Sequence, residues 1–103
     1  MIKIDDWVIE KGEKAQGKIK ISGNGMAMPA TVICGVEDGP TVLITAGIHS
    51  AEYVGIQAAM ELAKEFQPEE LKGNVIIVPL VNVSGFEHRT MSLVYEDGKN
   101  LNR

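Results

Sequence analysis

The chain has 103 residues, enough for one small domain around a single core. Hydrophobic residues make up 45% and charged residues 23%, the proportions of an ordinary globular protein, and the formal net charge is −4. That mildly acidic balance argues against non-specific nucleic-acid binding, which needs a basic stripe, and no apolar run approaches the length of a membrane span. The opening Met1-Ile-Lys-Ile-Asp-Asp-Trp7 lacks the apolar centre of a signal peptide, and the single Cys34 cannot form an internal disulfide. Together these features read as a cytoplasmic protein whose cysteine is a reduced core residue.

The first residues give a weak extended signal around Trp7-Val8-Ile9, with Trp7 read as a packing residue. Lys18-Ile19-Lys20-Ile21 alternates with period two, as a half-exposed strand does. Ser22-Gly-Asn-Gly25 has turn chemistry; no Lys-Ser/Thr pair follows, so it reads as a hairpin and not a phosphate loop. Pro29 to Val36 forms a second strand, and Glu37-Asp-Gly-Pro40 a turn. Val42 to Ala46 returns as a third strand, apolar on both faces and therefore expected to be central.

From Ser50 or Ala51 the pattern turns helical. Val54, Ala58, Leu62 and Phe66 make an apolar stripe, widened by Ala59, Ala63 and Tyr53 or Met60, with Gln57, Glu61, Lys64 and Glu65 on the wet face. Pro68 ends the helix. A charged connector with a Gly73-Asn74 turn leads to the apolar strand Val75–Val78, placed parallel to Val42–Ala46 by a right-handed crossover. Beyond Pro79 the periodicity is lost. The expected fold is α/β: a mixed sheet with N-terminal β-hairpins and one right-handed βαβ unit. Residues 1–40 form the hairpin region, 41–79 the βαβ unit, and 80–103 an irregular segment of the kind that is functional or disordered. One helix is too little to cover such a sheet, and the face of Val75–Val78 is a pairing hazard. The chain reads as the front part of a larger domain.

Chemistry concentrates at the end of the third strand. Gly47 allows a sharp turn, and His49 and Glu52 follow at once, with Gly55 read as permitting close helix–sheet packing. Zinc favours imidazole nitrogen and carboxylate oxygen, and catalytic sites keep a position open for water. By spacing alone the plainer reading is a loop histidine and a first-turn acid serving the helix, because His-x-x-Glu is short. The His-x-x-Glu-His zinc pattern fails, since Tyr53 stands at its last position.

Two blocks shift that balance. Gly47-Ile-His-Ser-Ala-Glu-Tyr-Val-Gly55 resembles the Gly-x-His-Gly-x-Glu-x-x-Gly motif of zinc carboxypeptidase-like hydrolases. Val81-Asn-Val-Ser-Gly-Phe86 and Asp97-Gly-Lys-Asn-Leu-Asn-Arg103 resemble Asn-Pro-x-Gly-Phe and Asp-Leu-Asn-Arg motifs of one branch, the succinylglutamate desuccinylase/aspartoacylase family. Ser50, Val83 and Asn100 depart from these patterns in minor ways. The resemblance implies that His49 and Glu52 are two of three zinc ligands. It further implies that Asn102 and Arg103 bind a substrate carboxylate, a task suited to the planar arginine fork, and that Arg89 steadies an oxyanion.

The implied activity is zinc-dependent hydrolysis of the amide bond of an N-acyl amino acid or similar small carboxylate-bearing substrate. The family's third ligand, a later histidine, and its general-base glutamate find no counterpart here, and His88, in the loop by Arg89, is not expected to replace the histidine. The 103-residue chain is thus expected to be an inactive N-terminal segment that needs its missing C-terminal part or self-associates. The alternative is a non-enzymatic, self-associating short protein with a vestigial metal or anion site. A plain β-rich module follows only if His49 and Glu52 point apart.

Overall fold

Six strands and one α-helix carry the chain in a computed structural model that describes residues 1–20, 27–49 and 52–83. A short antiparallel hairpin, β1 (Ile2–Ile4) and β2 (Trp7–Ile9), turns at Asp5, whose φ is 50°. β3 (Lys14–Lys20) and β4 (Ala27–Cys34) pair antiparallel from Lys14↔Ile33 to Lys20↔Ala27. β5 (Glu37–Thr45), helix α1 (Tyr53–Glu65), a 3-10 turn (Pro68–Glu70) and β6 (Lys72–Val78) complete the described elements. The main sheet has the order β3-β4-β6-β5, with β6 antiparallel to β4 and parallel to β5. The mixed sheet, the N-terminal hairpins and the βαβ unit therefore stand as the sequence suggests.

Alternation along β4 and β6 divides the interior in two. Ile33 and Ile77 face α1 and pack with Ala59 and Ala63, joined at the margin by Ile44, Leu62, Phe66 and Val75. Val32 and Cys34 face the other way and pack under the β1–β2 hairpin with Ile9, Trp7 and Ile76. Each fully enclosed aliphatic side chain contributes about 1.5–3 kcal/mol over leaving it in water. The indole of Trp7 occupies the space where a Cβ on Gly17 would stand, so the hairpin seats on β3 through the absence of a side chain. Lys14 ties the sheet to the helix: its Nζ donates to the carbonyls of Phe66 at 2.7 Å and Lys64 at 3.3 Å, favourable at the negative end of the helix dipole. On the surface Lys11 Nζ lies 2.8 Å from Asp38 Oδ1. Their hydrogen bond, reinforced by charge attraction, raises the lysine pKa and lowers the aspartate's.

Several expectations need correction. β5 is an edge of the sheet and not its centre, because β6 inserts between it and β4. Val42 is 49% and Leu43 62% exposed. Among the described residues the edge thus falls on β5, while Val75–Ile77 in β6 is paired on both sides. Glu37–Pro40 belongs to β5 and does not form a separate turn; the register shift between Glu37 and Thr41 absorbs the missing N–H of Pro40. Gly73 lies inside β6 with φ 101°, where a Cβ would run into the Pro40 carbonyl, so this glycine permits the close crossing of the two strands. The helix packs through part of the expected stripe: Ala59 and Ala63 are buried with Leu62 and Phe66 at the core margin, Ile56 joins the buried side, and Val54, 86% exposed, and Ala58 stay outside. Gly55 lies on the outer side with open space where its Cβ would be, so it plays no part in helix–sheet packing. The predicted turn at Ser22–Gly25 lies outside the described residues.

Candidate metal centre

The end of β5 and the end of β6 are held together past the last strand residues. The Ala46 N–H donates to the Val78 carbonyl at 2.9 Å. After the detour at Pro79 and Leu80, the N–H groups of Val81 and Asn82 donate back to the carbonyls of Ala46 at 3.0 Å and Gly47 at 2.9 Å. Gly47 adopts φ 66° and is buried against this segment; a Cβ there would stand 2.9 Å from Leu80 Cα and 3.1 Å from the Pro79 carbonyl oxygen. Only glycine meets both demands without strain. The chain consequently leaves the sheet in one direction, and His49 follows two residues on.

From His49 the backbone closes a tight turn, the Glu52 N–H donating to the His49 carbonyl at 3.0 Å. Glu52 then stands at the N-cap of α1, with its carbonyl accepting from the Ile56 N–H at 3.4 Å. Its side chain makes no capping hydrogen bond, and the first turn of the helix contains no acid. The carboxylate instead reaches back, placing Oε2 2.8 Å from His49 Nδ1. The two atoms share one proton, with donor and acceptor set by the imidazole tautomer. The reading of Glu52 as a first-turn acid serving the helix is therefore not the one the structure shows. The imidazole is the more sheltered partner, its side chain 23% exposed against 68% for Glu52.

One imidazole nitrogen and one carboxylate oxygen thus stand together between β5 and α1. That donor set suits zinc chemically and could supply two of the three protein ligands usual for a catalytic site. Among the described residues no group of three or more His, Cys, Asp and Glu side chains stands together. Cys34, buried with Ile9 and Val32 under the hairpin, belongs to the core. Arg89, Asn102 and Arg103, along with His88, lie outside the described residues. A feature the sequence left without a role is Asn82, 3% exposed and bonded through its backbone to the ligand turn. Its motif position was the available signal; the loss of periodicity after Pro79 concealed that residues 81–82 still run beside Ala46–Gly47.

The profile of the succinylglutamate desuccinylase/aspartoacylase catalytic domain matches residues 38–103 of this chain, from the start of β5 through the ligand turn and onward. The chain belongs to the succinylglutamate desuccinylase/aspartoacylase family. A curated relative, the N-alpha-acetyl-L-2,4-diaminobutyric acid deacetylase of Halomonas elongata, is 39% identical over 97 residues, covering 92% of this chain and 25% of its own. Among solved structures, a family member from Rhodobacter sphaeroides superposes with a TM-score of 0.77 at 33% identity, over 95% of this chain and 31% of that one. The product-bound ectoine utilization protein EutE (DoeB) from Ruegeria pomeroyi gives a TM-score of 0.77 at 31% identity, over 94% and 31%. The described fold is thus a family fold, and the chain spans a quarter to a third of the length of these relatives.

Proposed function

We propose that this chain forms the front part of a zinc-dependent deacylase of the family, with His49 and Glu52 as two metal ligands. The observation that carries the reading is the 2.8 Å approach of His49 Nδ1 to Glu52 Oε2 on the turn between β5 and α1. The substrate is an N-acyl amino acid. The naming of the Halomonas relative as a deacetylase of an N-acetylated diamino acid supports an acetyl group as the part removed.

The roles divide along the chain. Gly47 sets where the chain leaves β5, and bound zinc would take the place of the proton that His49 Nδ1 shares with Glu52 Oε2. Bound zinc would supply Lewis-acid polarisation of the amide carbonyl and a lowered pKa for its water. Arg103 holds the substrate carboxylate through its planar fork with Asn102 beside it, and Arg89 stabilises the developing oxyanion. The location is cytoplasmic; no helix among the described residues is long and apolar enough to cross a membrane.

Two ligands do not complete a catalytic zinc site, so the 103 residues by themselves are inert. Purified chain supplied with zinc and N-acetylated amino acids is expected to release no acetate above the zinc-only background. Zinc-dependent turnover that saturates with substrate would overturn the inertness and show that the site is completed within these residues.

A second reading has a specific observation behind it. Among the described residues β5 is an edge strand with Val42 and Leu43 exposed, a feature that natural sheets normally cover or blunt. The chain in this reading is a self-associating protein that closes its own edge. Sedimentation is expected to show a discrete oligomer if so, and Leu43→Lys to dissociate it. A monomer at all concentrations would exclude this reading.

A further inference from the structure

Asn82 belongs to no ligand set, yet it sits where the ligand turn is anchored. It follows β6 in the segment that returns to Ala46 and Gly47, its N–H on the Gly47 carbonyl at 2.9 Å. The residue is 3% exposed, one of two buried polar residues among those described. A primary amide carries two donors and an acceptor oxygen, and enclosing them without partners is costly. No enclosed side-chain nitrogen or oxygen among the described residues lacks a partner, so this amide is held in place. Thr31, the other buried polar residue, lies within β4 and away from the turn. An apolar side chain would fill the position at lower desolvation cost. The choice of an amide beside Gly47 therefore points to orientation of the turn, not to core packing.

We propose that Asn82 is a positioning residue for the metal turn: its buried amide and its backbone bond to Gly47 together fix the direction in which His49 leaves the sheet. The proposal rests on the reading of His49 and Glu52 as metal ligands for its consequence, and on the geometry alone for its mechanism. Removing a partner bonded directly to a ligand changes affinity by about 10–100-fold, which sets the upper scale for a residue acting through Gly47.

The test compares wild type, Asn82→Ala, Asn82→Ser and Ile9→Val on the 103-residue chain. Ile9 lies in the cluster on the opposite face of the sheet and serves as a control for lost stability alone. Cobalt(II) is titrated as the probe, read by its visible absorption. Asn82→Ala is expected to bind more weakly, by up to about 10–100-fold, with an altered spectrum. Asn82→Ser, which keeps a donor and an acceptor, should fall between, and Ile9→Val should match wild type. Wild-type cobalt affinity and spectrum in Asn82→Ala would overturn the proposal while leaving the metal reading intact.

If wild type takes up no cobalt, two ligands are too few to hold it, and the metal-free protein decides the positioning role. The imidazole nitrogen resonances of His49, sensitive to its bond with Glu52, are then expected to move in Asn82→Ala and to stay put in Ile9→Val. Unchanged resonances in Asn82→Ala would overturn the positioning role as well.

Discussion

Ile77→Ala is expected to cost about 2–5 kcal/mol of stability, the range for truncating a fully enclosed aliphatic side chain. Ile77 has no exposed surface and meets Ile33, Ala59 and Ala63 where α1 rests on the sheet. Its strand partner is Ile44 of β5, and the next residue, Val78, accepts the hydrogen bond from Ala46 that leads into the ligand turn. A cavity there loosens the helix and the turn together. Small domains have only about 5–15 kcal/mol to lose, so the variant should be partly unfolded at physiological temperature. Urea denaturation followed by far-ultraviolet circular dichroism measures the effect. Val54→Ala is the contrast: as part of the stripe read from the sequence it would be a core truncation, but at 86% exposure it should change stability by less than about 0.5 kcal/mol. Comparable losses for the two variants would mean that the helix packs through the Val54 face after all.

That contrast marks where the sequence ceased to be informative. The strand–helix–strand unit was legible because Val42–Ala46 and Val75–Val78 are short apolar runs separated by a helical pattern of the right length. Which helix face turns inward was legible only in part, because the apolar side of α1 is wide. Ala59, Leu62, Ala63 and Phe66 lie inward as the widened stripe had them, and contact with Ile33 and Ile77 brings in Ile56 in place of Val54 and Ala58. Strand order was equally hidden. Apolar residues on both faces of Val42–Ala46 suggested a central strand, but order depends on where β6 returns, a long-range choice that no local pattern records. Gly73 and Pro40 illustrate the same limit: both have turn chemistry, and here they accommodate two strands crossing closely within the sheet.

The turn that carries His49 and Glu52 was the part of the candidate site most open to reading from sequence. Gly47, His49 and Glu52 stand close in sequence, so local geometry carries most of their arrangement. The structure adds that the Glu52 carboxylate turns to the imidazole and leaves the helix end uncapped. Asn82 was missed because its link to Gly47 spans the whole crossover and surfaces only once β5 and β6 are paired.

His49→Ala carries the largest expected effect on function. Removing the imidazole leaves Glu52 as a lone, largely exposed carboxylate, and a single monodentate oxygen holds zinc poorly. The loss should exceed the about 100-fold seen when an orienting partner alone is removed. Glu52→Ala should show a loss of the same order, and combining the two should add little, because the ligands act as a unit. Folding should survive in both, since neither side chain contributes to the buried clusters. The most direct test of the account is a competitive zinc titration of wild type against His49→Ala with a chromophoric chelator. The account predicts uptake of about one zinc per wild-type chain and a more than 100-fold weaker affinity in the variant. Equal zinc affinity in the two proteins would contradict it.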